Sequence, residues 1–133
     1  MKRTVAFVCV HNSCRSQMAE AWAKHLAGDT LDVYSAGTEA YPEVKPGAIQ
    51  VMAEVGIEMS KHYPKLLSDI PDEVDILVTM GCGVTCPFLP NQHLEDWGLE
   101  DPSGGPIEAY RKTRDLLREK VEDLIKRINL GEI

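Results

Sequence analysis

A cysteine and an arginine with complementary chemistry, Cys9 and Arg15, stand close together near the start of the chain, separated by five residues. A cysteine thiolate is a strong nucleophile, and an arginine guanidinium can hold two oxygens of a tetrahedral anion. Three of the residues between them have short side chains, which favours a tight loop whose backbone N–H groups converge on one point. The spacing therefore predicts an oxyanion cradle with a nucleophile at its floor.

A strand and a helix must hold this loop in place. Residues 4–9 are an apolar run rich in β-branched and aromatic side chains, which is typical of a buried strand. From about Ser16, apolar residues recur at helical spacing, so we expect a helix whose N-terminal N–H groups and dipole also favour an anion. The Ser16 hydroxyl is placed to donate a hydrogen bond to the Cys9 sulfur. The predicted anion-binding residues are Val10, His11, Asn12, Ser13, Cys14, Arg15 and Ser16.

The segment CVHNSCRSQMAEA, residues 9–21, resembles the phosphate loop of the low-molecular-weight tyrosine phosphatase superfamily. Within it, NSCRSQMAE is most similar to the arsenate reductase branch that is coupled to thioredoxin. The resemblance extends over nearly the whole chain. It implies an α/β fold in three layers, with an open sheet of four mainly parallel strands flanked by helices, in a single domain over residues 1–133.

The rest of the chain alternates between strand and helix patterns. Residues 31–37, 75–80 and 93–97 read as strands, and helices are predicted from Pro46 to Gly56 and over residues 107–129. The carboxyl ends of parallel strands meet at one edge of a sheet, where ligands bind in open α/β folds. Loops that follow the later strands should therefore lie near the Cys9 loop.

Two further cysteines, Cys82 and Cys86, follow the predicted strand 75–80. The resemblance to the reductases implies a relay in which Cys9 attacks arsenate, Cys82 attacks Cys9, Cys86 attacks Cys82, and thioredoxin reduces the final disulfide. Only three residues separate Cys82 from Cys86, fewer than expected for the reductases. This spacing leaves open which of the two attacks Cys9, although Cys82 is favoured because it is nearer the strand end. A zinc site is disfavoured because no second pair of ligands has complementary spacing.

An Asp-Pro pair, Asp101 and Pro102, lies in a loop after the last predicted strand. The resemblance implies that Asp101 is the general acid that protonates the leaving oxygen. The predicted catalytic residues of an arsenate reductase serving arsenic detoxification are thus Cys9, Arg15, Cys82, Cys86 and Asp101. A tyrosine phosphatase needs only Cys9, Arg15 and Asp101, so that activity is an alternative. A non-catalytic oxyanion or redox sensor is a further alternative.

Residues behind the loop are expected to support it. By resemblance, Ser35 hydrogen-bonds Asn12 and steadies the loop. Related reductases often carry a potassium site built from a loop Asn, a helix Glu, a Ser and a carboxylate, which correspond here to Asn12, Glu20, Ser35 and, in place of the carboxylate, Lys65. We expect the Lys65 ammonium to replace the cation and to pair with Glu20. No metal or other cofactor is therefore predicted.

The composition of the chain limits the classes of molecule expected to bind it. The formal net charge is −7, from 14 basic and 21 acidic residues, which argues against nucleic acid as the main partner. No apolar run approaches membrane-spanning length and no signal peptide is apparent, so a cytoplasmic location without membrane association is expected. The expected partners are arsenate and thioredoxin, and an acidic domain of this size is expected to be a monomer.

Overall fold

The computed structural model describes residues 2–39, 41–81 and 89–133. Cys82 and Cys86 of the predicted relay lie outside the described residues. A short 3-10 helix spans Leu67–Asp69. The strands and α-helices, in chain order, are β1 (Arg3–Cys9), α1 (Arg15–Ala27), β2 (Leu31–Gly37), α2 (Pro46–Glu54), β3 (Ile76–Thr79), β4 (His93–Asp96) and α3 (Ile107–Asn129).

The four strands form one sheet in the order β2-β1-β3-β4. Every pair of neighbouring strands is parallel, so the expectation of a mainly parallel sheet is confirmed. On β1, Val8 is in register with Ala36 of β2 and with Thr79 of β3. The carboxyl ends of the three strands therefore reach the same edge of the sheet, and Cys9 stands at that edge.

Both faces of the central strand are buried, because successive side chains of a strand point to opposite faces. Val5 and Phe7 lie in a cluster with the apolar sides of α1, α2 and α3. Ala6 and Val8 lie in a second cluster, together with residues from 67–77 and Leu89. Burial on both faces accounts for the nearly continuous apolar sequence of the strand.

The predicted elements are all present, with small differences at their ends. α1 begins at Arg15, one residue before the expected start, and β3 is one residue shorter at each end than predicted. Asp75 is outside β3 because its carboxylate accepts the Thr4 N–H at 2.9 Å, and Gly81 turns the chain away with a φ of 82°. Among the described residues, no helix is both long and apolar enough to cross a membrane.

Candidate active site

Two hydrogen-bond donors converge on the sulfur of Cys9, which is only 5% exposed. The Asn12 N–H donates to Cys9 Sγ at 3.2 Å, and Ser16 Oγ lies 2.9 Å from the same sulfur. Asn12 Nδ2 also donates to Ser16 Oγ at 2.7 Å, which leaves the Ser16 hydroxyl hydrogen for Cys9. The predicted contact between Ser16 and Cys9 is therefore present, and both donors are directed at the sulfur.

The carbonyl groups of the loop between Cys9 and Arg15 accept hydrogen bonds from residues outside it, and these bonds fix the shape of the loop. Val10 O accepts the N–H groups of Thr38 and Glu39 at 2.8 and 2.9 Å, and Ser13 O accepts the Lys45 N–H at 2.8 Å. A Cβ atom on Gly37 would lie 2.6 Å from Val10 O, so only glycine allows this close approach. Because these carbonyls point outward, their peptide units are oriented with N–H groups on the opposite, inner side.

Asn12 is the centre of the buried polar network, and both its amide oxygen and its amide nitrogen are hydrogen-bonded. It adopts a left-handed φ of 54°, which asparagine tolerates better than most residues. Its Oδ1 accepts Gln17 Nε2 and the Lys65 N–H, both at 2.8 Å. The prediction that Ser35 hydrogen-bonds Asn12 is wrong. The Ser35 hydroxyl instead donates to Glu20 Oε1 at 2.6 Å, because β2 places it two residues behind the loop, beside α1.

Glu20 is 3% exposed and has cations on both sides. Lys24 Nζ lies 2.9 Å from Oε2, and Lys65 Nζ lies 3.6 Å from Oε1, the oxygen that also accepts Ser35. The residues that the sequence analysis assigned to the position of a cation have protein partners here. An ammonium already stands beside Glu20, and the Asn12 oxygen already accepts two N–H groups.

Gln17 and His62 join the loop to the connector after α2, which is formed by residues 55–66. Sequence analysis missed this function of both residues. Gln17 Nε2 also donates to Tyr63 O at 2.8 Å, and Gln17 Oε1 lies 2.9 Å from His62 Nδ1. The amide oxygen can only accept, so His62 Nδ1 carries the hydrogen. Burial, reinforced by the charges of Lys24 and Lys65, outweighs Glu20 and lowers the pKa of His62. The ring therefore supports the loop in its neutral form.

Arg15 is 12% exposed and ties two other loops to the cradle. Its Nη1 donates to the carbonyl oxygens of Met80, just after β3, and of Leu99, at 2.7 Å for the second. Its Nη2 lies 3.9 Å from Asp101 Oδ2. Among the described residues, Nε and Nη2 make no hydrogen bond, so this edge of the guanidinium is open to an anion.

Asp101 lies beside Arg15 at the same edge of the sheet, and its side chain is 50% exposed. The Ser103 N–H donates to its Oδ1 at 3.0 Å. Partial burial opposes ionisation, but the hydrogen bonds from Ser103 and the charges of Arg15 and Lys45 outweigh it, so the pKa of Asp101 lies below its ordinary value. An incoming anion would favour the protonated form that a general acid requires.

Cys14 differs from Cys9 although both are buried thiols. Burial, together with the negative charges of Asp101 and Cys9, raises the pKa of Cys14 to about 12. Cys14 therefore remains a thiol at neutral pH, which leaves Cys9 as the nucleophile of the loop.

The structure brings Cys9, Arg15 and Asp101 together and places Glu20 and Lys65 behind the loop. The parts of the site that sequence analysis missed are the amide of Gln17 with the ring of His62, the Ser103 contact to Asp101, and the Met80 and Leu99 carbonyls that hold Arg15. Within residues 2–39, 41–81 and 89–133, no three His, Cys, Asp or Glu side chains are grouped to hold a metal ion.

Comparison with known proteins identifies similar chains. Residues 4–131 match the low molecular weight phosphotyrosine protein phosphatase family. An arsenate reductase of Staphylococcus aureus (strain Newman) is 42% identical over 130 residues, which cover 95% of this chain and 98% of that protein. A solved arsenate reductase in the phosphate binding state superposes with a TM-score of 0.85 at 42% identity, over 96% of this chain and 99% of the other. A thioredoxin-dependent arsenate reductase of Corynebacterium glutamicum superposes with a TM-score of 0.80 at 34% identity, over 98% and 63% of the two chains.

Proposed function

The chain belongs to the low molecular weight phosphotyrosine protein phosphatase family, and we propose that it is an arsenate reductase that uses thioredoxin as its reductant. The similar chains named arsenate reductases match it over nearly its full length. Thioredoxin dependence is stated for the Corynebacterium protein, which this chain resembles less closely.

The observation that carries the proposal is the parallel pairing of β1 with β3, the strand that precedes Cys82 in the sequence. β1 and β3 are adjacent and parallel, with Val8 in register with Thr79. Cys9 follows Val8, and Cys82 comes three residues after Thr79 in the sequence. The described chain after β3, as far as Gly81, therefore lies at the edge of the sheet where Cys9 stands. A phosphatase reaction has no need of Cys82, whereas a reductase does.

The first half of the reaction is nucleophilic substitution at arsenic. The loop N–H groups and the open edge of Arg15 hold arsenate, and the Cys9 thiolate forms a bond to arsenic. One oxygen leaves as water, taking a proton from Asp101 and one that the anion brings. The product is a Cys9–arsenic(V) adduct, and no electrons have yet been transferred.

The second half is thiol–disulfide exchange. The Cys82 thiolate attacks Cys9 Sγ, the sulfur–arsenic bond breaks, and its electron pair reduces arsenic(V) to arsenic(III), which leaves as arsenite. Cys86 then attacks Cys82 and frees the Cys9 thiolate. Reduced thioredoxin supplies two electrons and two protons to the Cys82–Cys86 disulfide, so each turnover consumes one dithiol and yields one water.

In this proposal the Lys65 ammonium supplies the positive charge that a bound cation would otherwise supply beside Glu20. Its ammonium neutralises Glu20 at 3.6 Å while its backbone N–H holds Asn12. The loop would then need no potassium ion. A reducing environment that keeps Cys9 as a thiol and supplies thioredoxin suits a cytoplasmic enzyme, and we propose that residues 1–133 act as a monomer of one domain.

A phosphatase activity is the second candidate, and one observation favours it. Cys9, Arg15 and Asp101 are together at the site, with Asp101 Oδ2 3.9 Å from Arg15 Nη2, and these groups suffice for phosphoryl transfer through a cysteine. Weak hydrolysis of aryl phosphates would therefore accompany arsenate reduction without replacing it.

The test is NADPH consumption with arsenate, thioredoxin and thioredoxin reductase. Wild type is compared with Cys9→Ser, Cys82→Ser and Cys86→Ser. Repeated turnover by wild type alone is expected. In a single turnover, arsenite release by Cys86→Ser but not by Cys82→Ser is expected, and the reverse would exchange the functions of these two cysteines.

Two results would overturn the proposal. If no protein consumes NADPH while wild type and Cys82→Ser hydrolyse an aryl phosphate equally, the chain is a phosphatase. If wild type forms a disulfide with peroxide but neither reduces arsenate nor hydrolyses phosphate, it is a redox sensor.

A further inference from the structure

Asp96, at the carboxyl end of β4, binds the end of the neighbouring strand β3. Thr79 and Asp96 are directly paired in the sheet. Asp96 Oδ1 accepts the hydroxyl of Thr79 at 2.8 Å and the backbone N–H of Gly81 at 2.6 Å. The Trp97 N–H continues the ladder to Thr79 O at 2.9 Å. One carboxylate oxygen therefore holds the last residue of the strand and the turn that follows it.

Gly81 is constrained from a second side. Its φ is 82°, and a Cβ atom there would lie 2.9 Å from Gly98 Cα. Arg15 in addition holds the Met80 carbonyl. The peptide unit between Met80 and Gly81 is thus hydrogen-bonded through both of its polar groups, and these contacts fix the direction of the chain at the end of β3.

We propose that Asp96 is a positioning residue for the thiol relay, which orients the end of β3 so that the cysteine directly after Gly81 can reach Cys9. This inference rests on the proposed function, because Cys82 has a part only in a reductase. Asp96 touches neither Cys9 nor the anion loop in the described structure, so it acts through the backbone of Gly81.

The physical reason is the effective concentration of one thiol at another. Attack by Cys82 on Cys9 is an intramolecular step whose rate depends on how often the two sulfurs are aligned. Without an acceptor on Asp96, the Met80–Gly81 peptide keeps only the hydrogen bond from Arg15 to its carbonyl, and glycine gives little resistance to rotation of the chain that follows. Anion binding and attack by Cys9 on arsenic involve Arg15 and the loop and should be unaffected.

The experiment measures both steps in the full-length protein. Single-turnover arsenite release reports the relay, together with the Cys9–Cys82 disulfide measured by mass spectrometry in a Cys86→Ser background. Affinity for inorganic phosphate, measured by calorimetry, reports the anion loop. Asp96→Ala removes the acceptor, Asp96→Asn keeps Oδ1, and Asp72→Ala is the charge-matched control, since it removes an exposed carboxylate before the other end of β3.

Asp96→Ala should slow arsenite release and disulfide formation by about tenfold, the factor expected for one lost charge-assisted hydrogen bond. Its phosphate affinity should equal that of wild type, Asp96→Asn should recover most of the rate, and Asp72→Ala should match wild type. Asp96→Ser, a shorter polar side chain that cannot span to Gly81, gives the same test if the alanine variant is poorly folded.

An unchanged rate in Asp96→Ala would overturn the inference. So would an equal loss of phosphate affinity and arsenite release, which would indicate a general distortion of the site. A wild-type protein that binds phosphate but releases no arsenite would instead overturn the proposed function.

Discussion

Replacing Lys65 tests whether an ammonium stabilises the loop where a metal ion would otherwise be needed. Lys65 Nζ stands 3.6 Å from Glu20 Oε1, and the two side chains are 14% and 4% exposed. Two unit charges at this separation attract by about 5 kcal/mol at an effective dielectric constant near 20. Lys24 and Ser35 still satisfy Glu20 when Lys65 is removed, so the net loss is smaller.

We expect Lys65→Ala to lower the free energy of unfolding by about 2 kcal/mol, less than the 3–5 kcal/mol typical when a buried charge loses its only partner. For a chain of this size the corresponding fall in Tm is roughly 6–10 °C. Lys65→Asp should be less stable still in sodium chloride, because a second carboxylate then faces Glu20. Lys61→Ala, an exposed lysine of the same connector, should leave Tm unchanged.

The assay is thermal unfolding, with arsenate reduction measured in parallel, in potassium chloride and in sodium chloride of equal ionic strength. Wild type should show the same Tm and the same turnover in both salts. Lys65→Asp should recover stability in potassium alone, as expected for a ligand that binds only the folded state. A wild-type protein whose activity rises steeply with potassium would refute the reasoning, as would a Lys65→Ala variant with unchanged stability.

Three other predictions concern the site and the edge of the sheet. Ser16→Ala removes the hydroxyl 2.9 Å from Cys9 Sγ and should lower kcat/KM for arsenate by about tenfold or more in a steady-state assay; an unchanged value would contradict this function of Ser16. Asp101→Asn should lower kcat by about a hundredfold and abolish the fall in rate expected for wild type as rising pH deprotonates Asp101, whose pKa lies below its ordinary value. A variant with the pH profile of wild type would contradict this prediction. Hydrogen bonds from Arg127 lower the pKa of Glu95 from 4.5 to about 2 and outweigh its partial burial. Ionised Glu95 therefore adds at most about 3 kcal/mol to the free energy of unfolding, and this contribution is complete above pH 4.5 and is lost as pH falls towards 2. Glu95→Gln should lose this acid dependence when unfolding is followed by circular dichroism.

Features that depend on neighbouring residues could be predicted from the sequence. The apolar run before Cys9 and the helical spacing after Ser16 each occupy one continuous stretch, so their periodicity is visible without the fold. The contact between Ser16 and Cys9 could be inferred for the same reason, because the two residues flank one short loop. Parallel pairing followed from the alternation of strands and helices, and it placed Asp101 at the edge where Cys9 ends β1.

Contacts between distant segments were decided by the tertiary structure alone. Ser35 was expected to bind Asn12, but the register of β2 against β1 places its hydroxyl beside Glu20. The carbonyl groups that hold Arg15 could not be found in the sequence, because every residue has a carbonyl and only the fold determines which ones an arginine reaches.

The sequence by itself determined the chemistry of the protein, since a thiol, a guanidinium and a carboxyl group are properties of Cys9, Arg15 and Asp101 wherever they lie. The tertiary structure decided how those groups are held. The hydrogen-bond partners of Gln17 and Asp96 could not be inferred from the sequence, because only folding places an amide beside Asn12 and a carboxylate beside the end of β3. Side-chain type is local information, whereas the partner of a hydrogen bond depends on segments that only the folded chain brings together.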